Sequence, residues 1–333
     1  MTKKKKIILL VVSLVFTLLL SAVLIYYTGA NYPEYNNIMQ SEFKIPGLNE
    51  NFVPQGLAYD SNNSNYFVSG YMSDSSSSRI YYISNNDKTA KYVTLLVDGK
   101  PFKGHMGGIA VNSNYIWVAS DGNAYRINKT TLLNAEANSE IRIMDYFKTG
   151  NGADSITIYN NKLYVGEFYK KNKYETPVNH HIKINENETN RAIAYCYEIS
   201  STRDYGVLST TPSYGISLPD QAQGFDFTSD GKLVVSSSYS LPDSRIRIYN
   251  NVLKDENKIE IDLFNKKFKV YTLSSENLEH TITAPCMSEE VVCMNNKVYI
   301  LYESACNKWK LFTRTRIDSV HSIDLSLLET SGD

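Results

Sequence analysis

A two-strand pattern recurs five times along this chain, and an internal repeat of that kind constrains the fold more than any other feature. Each copy opens on a polar or glycine pair, runs through a short strand, turns, and returns as an aromatic-rich strand. The first copy is Gln55-Gly56-Leu57-Ala58-Tyr59 followed by Tyr66-Phe67-Val68-Ser69-Gly70. The second is Gly107-Gly108-Ile109-Ala110-Val111 with Tyr115-Ile116-Trp117-Val118-Ala119, and the third is Asp154-Ser155-Ile156-Thr157-Ile158 with Lys162-Leu163-Tyr164-Val165-Gly166. The fourth is Gln223-Gly224-Phe225-Asp226-Phe227 with Lys232-Leu233-Val234-Val235-Ser236. The fifth is Glu289-Glu290-Val291-Val292-Cys293 with Lys297-Val298-Tyr299-Ile300-Leu301. Short apolar runs around a turn read as β-hairpins.

A third strand follows each hairpin, at Arg79–Ser84, Ala124–Asn128, Ala192–Ile199, Arg245–Tyr249 and Ser319–Leu325. A fourth follows in the first four copies, as at Lys91–Val97 and Tyr214–Leu218. The fifth copy runs out of chain, and the early segment Glu42-Phe43-Lys44-Ile45-Pro46 is the candidate to complete it. Four-stranded antiparallel units closed by an N-terminal strand describe an all-β protein, a β-propeller. Closure also removes the exposed sheet edges of an open array. Five blades are counted. The third and fourth copies are long, so a sixth blade around Lys258–Leu273 is the alternative; a two-domain β protein fits the even repeats less well.

Ahead of the repeats stand Lys3, Lys4, Lys5 and Lys6, then an uncharged apolar run from Ile7 to Tyr27. At 1.5 Å per residue that run crosses a hydrocarbon core of about 30 Å. The lysines should stay cytoplasmic and the C-terminal domain lie outside the membrane. Tyr26 and Tyr27 sit where an interfacial anchor is expected. The competing reading is a cleaved signal peptide, whose apolar region is about 7–15 residues long. Either way the domain is extracytoplasmic. The expected organisation is a basic N-terminus (1–6), a transmembrane helix (7–27), a linker (28–41), the propeller (42–328) and a tail (329–333).

The net charge of −1 gives no electrostatic case for nucleic acid. The 26 tyrosines suit half-buried pleated surfaces. Of the four cysteines, Cys286 and Cys306 flank antiparallel neighbours and are the candidate disulfide pair. That bridge would contribute about 3 kcal/mol.

The Gln-Gly-aliphatic openings Pro54-Gln55-Gly56-Leu57-Ala58 and Gln223-Gly224-Phe225 resemble TolB-like propellers and the gluconolactonase, strictosidine-synthase and paraoxonase group. Pro54–Tyr59, Gly104–Val111, Val165–Tyr169, Pro219–Phe227 and Met287–Glu303 are similar to a family of secreted or anchored Gram-positive propeller proteins. The resemblance implies the fold; propellers host many functions. Its paraoxonase branch implies a channel calcium ion and a lactone or ester substrate, held by Glu, Asn and Asp. Gln55, Gly107 and Gln223 depart from that set.

In a propeller the innermost strand of each blade lines the central channel. Gln55, His105, Gly107, Asp154, Gln223 and Glu289 should gather at one opening, with Asp121, Glu167 and Glu303 arriving from the antiparallel second strands. Gln55, His105, Asp121, Asp154, Glu167, Gln223 and Glu303 are therefore the candidate ligand-binding residues. Asp154, Glu167, Glu289 and Glu303 are candidate ligands for a hard cation such as Ca²⁺. His105, as general base, and Glu289 are the candidate catalytic pair. In the competing reading each carboxylate accepts backbone or tyrosine hydrogen bonds and the channel holds water. Glu290 should face the other side of its strand. His180 and His181 fall in an insertion expected to be an exposed polar loop, and Lys308, Arg314 and Arg316 read as solvated charges or an anion-meeting patch. No nucleophile elbow, P-loop or H-E-x-x-H occurs. Two functions stay open: an extracellular ligand- or protein-binding module, and a metal-assisted lactone or ester hydrolase.

Overall fold

The computed structural model describes residues 2–250 and 252–329; the last four residues of the expected tail lie outside them. Five sheets arranged as blades form one ring, confirming the five-bladed propeller. The innermost strands are Phe52–Asp60, Gly108–Val111, Ser155–Tyr159, Ala222–Phe227 and Ser288–Met294. Each pairs antiparallel with the strand that follows it.

The ring closes through Met39–Lys44, which pairs antiparallel with Ser319–Asp324 as the outermost strand of blade 5. The closing strand thus begins three residues earlier than Glu42. Its direction matters: Met39 opposes Ile323 and Lys44 opposes Ser319, so it runs toward the face on which the innermost strands begin. That is the mouth face of the ring.

The segment Lys258–Leu273 does not make a sixth blade. Lys258–Leu263 and Lys266–Tyr271 form a hairpin whose turn residues Phe264 and Asn265 take φ of 53° and 56°. Two consecutive left-handed residues are what a tight two-residue hairpin demands. The hairpin leaves blade 4 and adds to the outer edge of blade 3, where Gly215 and Ile216 pair in parallel with Val270 and Tyr271. Ser139–Arg142 of blade 2 does the same for blade 1, pairing in parallel with Ala90–Val97. Both additions cover edges that would otherwise invite pairing with another chain.

The apolar clusters lie between neighbouring blades. Phe67, Ile80, Ile109 and Val118 join blades 1 and 2. Trp117, Ile156, Val165 and Tyr195 join blades 2 and 3, and Tyr164, Ile216, Phe225 and Val235 join blades 3 and 4. Blade 5 packs against both its neighbours through Phe43, Phe52, Val234, Ile282 and Ile300. Each blade thus buries both faces of its sheet against its two neighbours.

One apolar helix, Lys3–Thr28, precedes the ring. None of its residues is buried, and it is long enough to cross a membrane or to serve as a signal sequence.

Candidate site at the channel mouth

The innermost strands are in register as rings around the channel. The opening ring is Gln55, Gly107, Asp154, Gln223 and Glu289. Beneath it come Gly56, Gly108, Ser155, Gly224 and Glu290, and two residues further on come Ala58, Ala110, Thr157, Asp226 and Val292. Each of the lower two rings combines one acid with small or modest side chains. Bulges break the pairing between Pro54 and Gly56, between Ala222 and Gly224, and between Ser288 and Val291. A bulge leaves an extra residue and re-aims its side chain. It therefore frees Gln55, Gln223 and both glutamates of blade 5 from strict alternation.

Glu290 corrects the sequence expectation. It does not face away; it is fully buried, and its carboxylate lies against the backbones of other blades. The Phe225 N–H of blade 4 donates to its Oε1 at 3.2 Å. A Cβ placed on Gly108 would sit 2.7 Å from Oε2, and one on Gly224 2.5 Å from Oε1. The glycines of that ring are thus the space Glu290 occupies. Burial, and then the charge of Asp226, drive its pKa well above the ordinary glutamate value.

Past Glu290 the channel widens to a cavity of about 320 Å³ opening toward the far face, lined by Leu57, Ala110, Thr157, Asp226, Val292 and Cys293 among others. Asp226 accepts from Thr157 Oγ1 at 2.6 Å and from the backbone N–H groups of Phe227 (2.9 Å) and Cys293 (2.7 Å). Burial outweighs those bonds and raises its pKa to about 6. Sequence reasoning passed over Asp226, although a lone acid two residues beyond the Gln223-Gly224 opening was its signal.

On the mouth side the structure brings the buried carboxyls of Glu289 and Glu303 close enough to perturb one another. Gln55 Nε2 donates to Glu303 Oε2 at 3.1 Å. Burial, followed by the charge of Glu303, pushes Glu289 well above its ordinary pKa; burial raises Glu303 to about 7. Two such groups share a proton and titrate as a pair. Above them Tyr71 stacks on His105, ring centroids 4.5 Å apart. Lys308 Nζ donates to the Tyr71 hydroxyl at 2.6 Å and lies 4.5 Å from the Trp309 ring centre. His105 is water-accessible yet hemmed in by protein, and that crowding lowers its pKa. Its ring is held by the stack on Tyr71.

The other candidates separate from this pair. Asp154, half-buried, accepts from the Phe168 N–H at 2.8 Å, and burial raises its pKa to about 6. Asp121 is exposed and accepts from Ser120 Oγ at 2.7 Å, and Gln223 is half-buried on blade 4. Glu167 turns into blade 3, where His180 Nδ1 lies 2.9 Å from its Oε1 and the Ile193 N–H donates at 3.1 Å. His180 is buried, not in an exposed loop, with Nε2 3.0 Å from the Tyr195 hydroxyl. A neutral ring protonated on Nδ1 donates to Glu167 and accepts from Tyr195, which satisfies all three groups. The four expected cation ligands are thereby divided, and among the described residues no three His, Cys, Asp or Glu side chains converge as a metal ion would need. The expected Cys286–Cys306 bridge is also not formed: all four cysteines are free thiols. Cys306 packs into the apolar cluster of blades 5 and 1, and Cys286 lies toward Asp243 and Arg314. Arg314 is itself paired with Asp243.

No protein-family model and no curated protein matches the chain in sequence. Among solved structures it is similar to Kuenenia stuttgartiensis hydrazine synthase, at 9% identity and a TM-score of 0.40, over 79% of this chain but only 58% of that one. It is also similar to the PQQ-bound aldose sugar dehydrogenase from Streptomyces coelicolor, at 10% identity, TM-score 0.47, over 86% of this chain and 96% of that one. A third is the gluconolactonase XC5397 from Xanthomonas campestris, at 10% identity, TM-score 0.39, over 88% and 93% of the two chains. These likenesses concern the propeller fold.

Proposed function

We propose that the chain is a membrane-anchored, extracytoplasmic binding module that takes a small cationic ligand at its channel mouth. The observation that carries this reading is the Glu289–Glu303 pair, set at the floor of an aromatic-walled opening and pushed upward in pKa by burial. The nearest ammonium, Lys308, is hydrogen-bonded to Tyr71 and stacked near Trp309. An arriving cation would replace the shared proton. The lysine block followed by the uncharged helix supports retention in a membrane with the domain outside.

Titration calorimetry on the full chain in detergent tests the reading, with spermidine and tetramethylammonium as cationic probes and glucose as a neutral one. Near pH 6.5 the cations should bind with proton release, seen as heats that change with buffer ionisation enthalpy, and Glu289→Gln with Glu303→Gln should abolish it. Absence of cation binding, or binding indifferent to the double substitution, would refute it.

A further inference from the structure

The end of the apolar helix is fixed to the propeller at one place. The Tyr26 hydroxyl donates to the Phe312 carbonyl at 3.2 Å, and the Tyr27 hydroxyl to the Leu311 carbonyl at 3.1 Å. Leu311 and Phe312 belong to the connection between the second and third strands of blade 5, which lies on the mouth face with Glu303. From there the chain descends between blades 4 and 5. Tyr32 reaches Asp243 at 2.7 Å, Glu34 reaches His280 at 2.5 Å, and Met39 opposes Ile323 at the far end of the strand. The helix therefore leaves the domain from the side on which the channel mouth opens.

The same connection has the composition of a membrane-surface element. Leu311 is 69% and Phe312 59% exposed, large apolar side chains beside the last helical turn. Around them the stretch 307–316 carries Lys308, Lys310, Arg314 and Arg316 and no acid; Asp243 pairs with Arg314, and Lys308, Lys310 and Arg316 supply the net positive charge. Exposed apolar tips flanked by basic residues match the layered chemistry of acyl chains beneath anionic headgroups. Lys308 also ties the loop to the mouth wall through Tyr71.

We infer that the propeller sits mouth-down on the bilayer, seated by the 307–316 loop with Leu311 and Phe312 in the interfacial layer, so that the carboxyl pair opens onto the headgroup region. The occupant of this apolar patch is the lipid surface, and the ligand of the mouth is reached along it. The inference rests on the reading that the helix is retained in the membrane.

The full chain in nanodiscs of phosphatidylcholine and phosphatidylglycerol, with bromine near the headgroup end of the acyl chains, tests it. Trp309→Phe leaves Trp117, buried in blade 2, as an internal reporter of folding. Adding Phe312→Trp places a probe in the loop; adding Asn63→Trp instead places one in a turn on the far face. Insertion by 5–10 Å should quench about half of the added emission at position 312 and none at position 63. Emission at position 312 unchanged by bromine, or quenching at position 63 alone, overturns the inference. Co-elution of the chain with the discs reads the anchor separately. A chain that enters the discs with position 312 unquenched removes only the orientation, and one that fails to enter removes both.

Discussion

The Glu289–Glu303 pair should make the propeller less stable as pH rises through neutrality, and the size of the effect follows from its burial. Glu303 has a folded-state pKa of about 7 against an ordinary 4.5. Below pH 4.5 both folded and unfolded chains hold the proton, and its contribution is fully present. Between the two values the unfolded chain ionises first, so stability falls; above about 7 the loss is complete. That difference corresponds to about 3 kcal/mol, a large part of a domain's net stability. His321 acts in the opposite sense. Burial lowers its pKa to about 4 from 6.5, so it erodes stability as pH falls through that interval. The two slopes oppose one another between about pH 4.5 and 6.5, and the wild-type profile alone cannot isolate the pair. The difference between wild type and Glu289→Gln/Glu303→Gln can. Urea unfolding of the full chain in detergent at pH 5, 6, 7 and 8 should show the wild type losing about 2.5 kcal/mol more than the double variant across that range, since part of the loss already lies below pH 5. Parallel profiles would show that the carboxyls are already ionised and solvated in the fold, and the reasoning behind the mouth would fail.

Gly224→Ala should cost about 1–3 kcal/mol in urea midpoints, because the new methyl would lie 2.5 Å from the Glu290 Cα, a backbone atom with no room to move. His180→Phe leaves the buried Glu167 carboxylate with only the Ile193 N–H and should cost about 1.5–3 kcal/mol; no measurable cost would mean that water enters the cluster. Tyr35→Phe removes a hydroxyl that accepts from Tyr302 at 2.9 Å and meets His321 Nδ1 at 2.8 Å. Stranding those groups should lower stability by about 1–3 kcal/mol, read by thermal unfolding.

The ring was legible because its signal is repeated. Each blade opens with residues too small or too polar for a core strand, and the return strand begins 8–11 residues later. Blade count was harder to read, since Lys258–Leu273 has the pattern of two good strands. It lacks the Gln-Gly-type opening, and nothing local says that a hairpin leaving blade 4 will pair with blade 3. Glu290 was misplaced because alternation was carried through a bulge, where it does not hold. His180 was misplaced for another reason: the route of an insertion is set by long-range partners, here Glu167 and Tyr195, that sequence spacing does not reveal. Glu167 is divided from Glu289 and Glu303 by the same long-range contact, since its carboxylate meets His180 and the Ile193 N–H inside blade 3.

The tether and the channel are linked by the direction of one strand. Met39–Lys44 must run toward the mouth face to pair antiparallel with Ser319–Asp324 and still deliver the chain to the start of blade 1. A segment entering at the mouth face has then to travel the full height of the ring before that strand can begin. Residues 29–38 make this passage along the cleft between blades 4 and 5, held by Tyr32 to Asp243, Glu34 to His280 and Tyr35 to His321. Ring closure and helix attachment consequently share one segment, held by blade 4 through Asp243 and His280 and by blade 5 through His321. The acids of that blade gather near the tether because the bulge at Ser288–Val291 and the turn after Tyr302 both fall at its mouth end. The foot of the helix and the carboxyl pair therefore meet at the mouth end of the same blade.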